Sequence, residues 1–344
     1  MESHPLVLPL MRAALLVGAA LALYPPIAWI DRWAELAPGE RERLPRHPLL
    51  PLAYALKLLS KRASLPAGAD RLLHIVAPFF AFLPGMLILA CLPPGPSLST
   101  ADATIALGVA SEHATLPLVL GLFFASTGGI ALAGWAGGNP LALLGALRLV
   151  LVRTGVLVVV ALASLGVALV GESLSLAALL DAQGRELVLG VPALGALTNP
   201  IGFAAALVAL GVLGQRMAKS RPGESADLVE PYAAEATGPT LLLHRGFEII
   251  DLAATSAFLA TLFLGGWLIP GLDEGALPVT SLGAALPRVL VFLAKTLLAA
   301  GLLVLARRAL PTLRHDQALT LTWLLIPAAA LGLLLSGGVV ARLL

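Results

Sequence analysis

Long uninterrupted runs of apolar residues constrain the fold of this chain more than any other feature of its sequence. A helix of about 20 apolar residues crosses a hydrocarbon core roughly 30 Å thick. Runs of this length recur along the 344 residues and are separated by shorter charged segments. Only 12% of the residues are charged, about half the share in an ordinary soluble domain. The sequence therefore predicts an all-α polytopic membrane protein and nearly excludes a water-soluble fold.

We predict eight transmembrane helices that form a single transmembrane domain over residues 1–344. The spans are expected near residues 7–30, 71–92, 113–135, 149–171, 188–213, 241–266, 288–308 and 318–341. The first run begins like a secretory signal peptide. However, the prolines Pro25 and Pro26 and the Trp29 and Trp33 pair favour a retained span that ends in an interfacial aromatic belt.

Basic residues are distributed unevenly over the loops that alternate between the two sides of the membrane. Seventeen of the 22 Lys and Arg residues lie in the loops 31–71, 136–153, 214–247 and 307–317, which share one side if eight helices alternate. Loops rich in Lys and Arg remain in the cytoplasm. We therefore predict that these four loops are cytoplasmic, that both termini are external, and that the protein lies in the cell inner membrane.

Two counts limit the chemistry that the chain can carry by itself. The formal net charge of +2 gives no excess of positive charge for nucleic acid, which is not expected as a partner. The single cysteine, Cys91, cannot form an intrachain disulfide or supply the ligands of an iron–sulfur or zinc centre. We therefore expect no metal site, no cofactor bound by this chain alone, and no catalysis without other subunits.

Two cytoplasmic segments are expected to form amphipathic helices. In residues 47–62, apolar residues such as Leu52 and Leu56 recur at helical spacing, and Lys57 lies toward the other side. This pattern suits a helix that lies on the lipid surface, and a solvated linker is the alternative. The segment NPLALLGALR predicts a second short interfacial helix capped by Asn139.

The sixth predicted span contains ionisable residues, which are costly in a bilayer unless they are paired or hydrated. His244, Glu248 and Asp251 follow an i, i+4, i+7 pattern, and Thr255 extends it along the same helix face. We expect this face to line the bundle interior or a water-filled cavity, with Glu248 and Asp251 in a proton path. The alternative is that the span ends at the headgroups and that Arg245 neutralises Glu248.

Two further charged features lie outside that face. Lys295 is deep within the seventh predicted span, where either a carboxylate partner or a side chain that reaches the external interface is expected. The loop before the sixth span combines acids with bases, and a solvated charged loop would have a similar composition. Its charged residues are Arg216, Lys219, Arg221, Glu224, Asp227, Glu230 and Glu235.

Four segments occur in the order and spacing of a known family. They are PLAYALKLL with ADRLLHIVAP, then IALAGWAGGNPLALLGALR, then DLVEPYAAEATG continuing to TSAFLATLFLGGW, and finally RRALPTLRHDQALTLTW. From about residue 30 to residue 334 the chain resembles the quinone-site membrane subunit of respiratory complex I, the bacterial NADH:quinone oxidoreductase. It also resembles the related subunit of membrane-bound nickel–iron hydrogenases.

The resemblance implies a subunit that joins an arm of iron–sulfur electron-transfer subunits on the cytoplasmic side to an ion-translocating membrane arm. Other membrane-arm subunits and lipid would be its remaining partners, and quinone would bind at the interface with a soluble partner. The resemblance and the acidic face of the sixth predicted span together predict a proton path through Glu235, Glu248, Asp251 and Lys295. The expected quinone or docking positions are Lys57, Asp70, Arg148, Arg216, Glu224, Asp227, Tyr232, Arg308, Arg314 and Asp316.

The chain departs from the family pattern at three places. It reads ERERLPRHPLL where the family has a Gly-Pro-Asn-Arg turn, and Ser220 stands at an aspartate position. In the fourth span Leu157 stands where the family has a buried glutamate. These departures leave open an anchor subunit of a hydrogenase-like or divergent complex without quinone binding. A stand-alone secondary transporter is a further alternative, although the inverted repeats typical of transporters are not found in the sequence.

Overall fold

Helices account for most of the structure, a computed structural model that describes residues 18, 22–33, 50–66, 68–96, 98–100, 103–105, 115–188, 191–219, 232–233, 235–269 and 282–343. In chain order the helices are α1 (22–33), α2 (Leu50–Leu59), α3 (Arg71–Cys91), α4 (Thr115–Ala136), α5 (Pro140–Val170), α6 (Leu176–Gln183), α7 (Gly195–Thr198), α8 (Pro200–Lys219), α9 (Gly238–Phe263), α10 (Leu282–Ala309) and α11 (His315–Leu343). Two small antiparallel hairpins pair β1 (Leu98–Thr100) with β2 (Ala103–Ile105) and β3 (Glu186–Val188) with β4 (Val191–Pro192).

Seven of the described helices are long and apolar enough to cross a membrane, namely α3, α4, α5, α8, α9, α10 and α11. The predicted span near 7–30 lies mostly outside the described residues, and its described C-terminal part belongs to α1. The two hairpins contribute only short strands. These helices confirm the prediction of an all-α multi-pass membrane protein.

Helix α5 corrects the sequence prediction of an interfacial helix followed by a separate span near 149–171. The two are one continuous helix of 31 residues. Asn139 caps it as predicted, because its side chain accepts a hydrogen bond from the backbone nitrogen of Leu141 at 3.0 Å. Consequently Arg153, which the sequence analysis counted among cytoplasmic loop residues, lies four turns inside a membrane helix.

The span predicted near 188–213 also begins later than expected. Residues 186–188 form β3, residues 191–192 form β4 and residues 195–198 form α7, and α8 starts only at Pro200. Asn199 separates α7 from α8, and a proline is well suited to the first position of a helix because its missing N–H would have no helical acceptor there. The short helix α6 was not predicted.

Loops that the sequence assigns to one side of the membrane meet at one end of the helix bundle. The hydroxyl groups of Ser64 and Thr237 are 2.7 Å apart, and Asn139 Nδ2 donates to Glu235 Oε1 at 3.0 Å. We call this the basic end, formed by residues 60–66, 68–70, 137–139, 235–237 and 310–314 with the helix turns beside them.

The other end of the bundle contains the first turn of α4, the residues between α5 and α6, and the residues that follow α9. Here Leu116 donates its backbone N–H to the carbonyl of Leu174 at 3.0 Å, and Gln183 Nε2 donates to the carbonyl of Thr261 at 3.2 Å. The partition of loops between the two ends is therefore the one that alternating crossings require.

Helix α9 is the most enclosed of the seven candidate spans. Inside the structure 89% of its most apolar window is buried, whereas the corresponding share in the other six is 61% or less. Helices α3 and α10 pack on it, and α2 lies against it at the basic end. Charged residues on α9 therefore face protein and not lipid.

Candidate functional site

The polar face predicted for α9 lines a cavity inside the helix bundle. Glu248, Asp251 and Thr255 form one wall, and Asp31 of α1 and Arg307 of α10 complete it together with apolar residues of α8 and α10. The cavity measures about 60 Å³, which is room for several water molecules because one water requires about 10–15 Å³ on this measure. Three of the four residues of the predicted face line this cavity, and His244 is buried outside its lining.

Asp251 forms a buried ion pair with Arg153. Arg153 Nη1 donates to Asp251 Oδ2 at 2.8 Å, and Arg153 Nη2 donates to Asp251 Oδ1 at 2.5 Å. The guanidinium also donates from Nε to Thr127 Oγ1 at 3.0 Å and from Nη2 to Ser126 Oγ at 2.8 Å. Because both oxygens of Asp251 accept hydrogen bonds from a guanidinium that is 1% exposed, Asp251 is placed to fix α9 to α5 and α4.

Glu248 differs from Asp251 in its contact with a cation. Arg245 Nη1 lies 3.6 Å from Glu248 Oε2, which is beyond hydrogen-bonding distance for these two atoms. This contact is the one that the alternative interpretation of the sequence anticipated. The Glu248 side chain also lines the cavity, so it adjoins both a nearby cation and a space large enough for water.

A second ion pair on the cavity wall was missed by the sequence analysis. Arg307 Nη1 donates to Asp31 Oδ1 at 2.8 Å, and Arg307 Nη2 donates to the carbonyl of Asp31 at 3.3 Å. Its neighbour Arg308, the residue predicted from the resemblance, has its guanidinium 5.0 Å from the centroid of the Trp33 ring. The spacing of Arg307 and Leu303 was an available signal. Arg307 follows Leu303 by one helical turn, so both lie on the face of α10 that lines the cavity.

Four polar residues lie together where α9 begins, and we call His74, Tyr232, Glu235 and His244 the polar cluster. The rings of Tyr232 and His244 meet edge to face with their centroids 5.4 Å apart. Burial of the phenol, followed by the nearby Glu248 carboxylate, raises the pKa of Tyr232. The sequence had selected Tyr232, Glu235 and, on the polar face of α9, His244, and the structure adds His74 of α3.

Lys295 lies at the other end of α9, away from the cavity. Its ammonium group donates to the carbonyl of Leu264 at 2.7 Å and to that of Leu268 at 2.6 Å. A cation there satisfies carbonyl groups beyond the end of the helix and interacts favourably with the helix dipole. Glu248 precedes Leu264 by sixteen residues, or about 24 Å of helix, so the structure does not bring Lys295 to the predicted proton path.

The predicted quinone or docking residues within the described chain lie at the basic end. Asp70 has a structural explanation, because its Oδ1 accepts from the backbone nitrogens of Leu72 and Leu73 at 2.9 and 3.0 Å and caps α3. Arg216 is buried in the last turns of α8, Arg148 is half-buried, and Lys57, Arg314 and Asp316 are exposed. Glu224 and Asp227 lie outside the described residues.

Comparisons with known proteins agree with this architecture. A sequence model of the NADH dehydrogenase family matches residues 39–337. The H-type subunit of the NADH-quinone oxidoreductase of Thermomicrobium roseum is 32% identical over 345 residues, which cover 98% of this chain and 97% of that protein. An H-type subunit of the NADH-quinone oxidoreductase of Rhizobium meliloti is 28% identical over 336 residues, which cover 95% of each chain.

A solved structure shares the fold. It is a chain of the membrane-bound sulfane sulfur reductase, an archaeal respiratory membrane complex, with a TM-score of 0.73 and 21% identity over 96% of this chain and 99% of that chain. The helix bundle and these matches define a multi-pass subunit of a multi-subunit respiratory membrane complex. The chain belongs to the NADH dehydrogenase family and is a membrane subunit of a complex I-type oxidoreductase, as the resemblance predicted.

Proposed function

We propose that this chain joins a cytoplasmic electron-transfer module to the ion-translocating membrane arm of its complex. The observation that carries the proposal is the position of Glu248, an acid on the most enclosed membrane helix that lines a cavity large enough for water. In this role the chain itself has no redox group. Iron–sulfur subunits bind at the basic end, and movement of charge there changes the protonation of acids inside the bundle.

The path within the chain runs from Glu235 at the basic end to Glu248 in the cavity. Asp251 supports the path by its ion pair with Arg153, which places a fixed dipole beside the cavity. Lys295 anchors the distant end of α9. These assignments keep the four residues predicted for the proton path but give Asp251 and Lys295 a structural role.

A quinone bound at the basic end, between this chain and a soluble partner, would accept hydrogen bonds through its two carbonyl oxygens. Arg148 and Arg216 carry guanidinium donors there, and Tyr232 lies at the same end. The relatives are named as subunits of NADH-quinone oxidoreductases, which supports this ligand. The second candidate function is an anchor that binds no quinone, and the absence of the Gly-Pro-Asn-Arg turn from the first loop favours it.

Purification of the complex through a tag on this chain distinguishes these functions. In mild detergent we expect iron–sulfur subunits to co-purify and the dithionite-reduced complex to pass electrons to a short-chain quinone. An extract from untagged cells is the control. Co-purification without quinone reduction would favour the anchor function, and recovery of this chain alone would contradict both candidates.

We further propose that the basic end faces the cytoplasm, because the described Lys and Arg residues concentrate there. In a Cys91→Ser background, Ala63→Cys should react with an impermeant maleimide only after the cytoplasmic side is opened. Ala177→Cys, on α6 at the opposite end, should react in intact cells. Both residues are exposed, so the reverse pattern would show that the orientation is wrong.

A further inference from the structure

The polar cluster contains four buried polar atoms without a hydrogen-bond partner among the described residues. They are His74 Nε2, Tyr232 Oη, Glu235 Oε2 and His244 Nδ1. Tyr232 is 3% exposed, His244 is 5% exposed and His74 is 8% exposed. A buried donor or acceptor is costly unless it is satisfied, and native proteins satisfy such groups with ordered water when protein atoms are absent. Four such atoms at one place indicate a site for bound water.

The residues of the cluster form a sequence that leads from the basic end into the bundle. Asn139 holds Glu235 through Oε1, and Glu235 Oε2 remains for another partner. His74 lies in the first turn of α3 and His244 in the second turn of α9, and these two helices pack on each other. His244 precedes Glu248 by one helical turn on the same face of α9.

We propose that the polar cluster binds water and that His74 and His244 relay protons through this water between Glu235 and Glu248. The inference rests on the proposed function and names its proton carriers on α3 and α9. A neutral imidazole accepts a proton at one nitrogen and releases one from the other, so each transfer leaves the ring neutral and only exchanges its tautomer. Tyr232 donates a hydrogen bond to the same water and keeps it beside His244.

Each step of the relay conserves protons. A protonated Glu235 gives its proton to the bridging water, and the water passes a proton to the free nitrogen of a histidine. The resulting imidazolium releases the proton on its other nitrogen toward the next water or to the Glu248 carboxylate. No bond other than these N–H and O–H bonds changes, and no electron moves along the relay.

The test uses the whole complex in lipid vesicles with a pH-sensitive dye and compares His74→Phe and His244→Phe with native protein. Phenylalanine keeps an aromatic ring of similar volume but cannot carry a proton. We expect each variant to lower the number of protons moved per electron by about tenfold or more, since positioned proton-transfer groups contribute factors of about 100 or more. His315→Phe, which removes a histidine at the start of α11, should retain the native ratio.

Glu248→Gln, measured in the same vesicles, separates failure of the relay from failure of the proposed function. If it lowers the ratio while both histidine variants retain it, the relay is wrong and the proposed path through Glu248 stands. If it too retains the native ratio, the path itself is wrong. Should the phenylalanine variants not assemble, a high-resolution map of the native complex decides the question. Water density within hydrogen-bonding distance of His74 Nε2 and His244 Nδ1 is expected, and a dry site would overturn the proposal.

Discussion

Removal of one partner of the Arg153–Asp251 ion pair should destabilise this subunit more than removal of both partners. Arg153→Met leaves a buried carboxylate without its guanidinium, and Asp251→Leu leaves a buried guanidinium without its carboxylate. Each single change is expected to cost about 3–5 kcal/mol, whereas the double variant replaces the pair with apolar side chains and should lie much closer to native stability. The measurement is the midpoint of loss of this subunit from the purified complex in a detergent titration.

A smaller change at the same site provides the control. Thr127→Val keeps the side-chain shape and removes two hydrogen bonds, the one that Thr127 Oγ1 accepts from Arg153 Nε and the one that it donates to the carbonyl of Phe123. The loss of the first should cost about 1.5–3 kcal/mol at most, the range for hydrogen bonds to charged groups. Single variants that are as stable as the double variant would contradict the view that this pair fixes α5 to α9. In that case the packing of the two side chains, and not their charge, would determine the contact between α5 and α9.

Sequence reasoning predicts the helix content well because the length of an apolar run is a local property. The prediction for α5 was wrong because Arg148 and Arg153 made the first half of this apolar run resemble a charged loop. Yet Asn139 and Pro140 mark a helix start, and no proline lies inside the helix after that point. A helix that begins at this cap and continues without a break places Arg153 inside the membrane, where a buried partner is required.

The partners of buried charges could not be predicted in the same way. Asp251 pairs with a residue 98 positions away, and Asp31 pairs with Arg307 across 276 positions, so both contacts depend on which helices are neighbours. The i, i+4, i+7 pattern did identify the acidic face of α9, because that pattern lies within one helix. For Lys295 the sequence suggested a carboxylate partner or an interfacial position. The observed acceptors include two backbone carbonyls, which cannot be predicted from the identity of side chains because every residue has one.

Glu248→Gln should leave assembly and electron transfer by the partner subunits measurable and should strongly lower coupled ion movement. The amide keeps the shape of the side chain, so the contacts of α9 are preserved, but it removes the proton that the carboxyl group binds and releases. We expect ions moved per electron to fall by about tenfold or more, in line with the loss of a positioned proton-transfer group. Asp251→Asn should act differently, through assembly and stability, because Asp251 is held by Arg153.

Ser256→Ala is the matched control for Glu248→Gln, since Ser256 lies on the same helix and donates its hydroxyl to the carbonyl of Leu252 at 2.6 Å. It changes a buried polar group of α9 without changing a titratable one, so the number of ions moved per electron in vesicles should match the native complex. A Glu248→Gln complex that also moves ions at the native ratio would show that coupling does not require a titratable group at this position. In that case the water-sized cavity would have no part in coupling, and ion movement would have to depend on acids of other subunits.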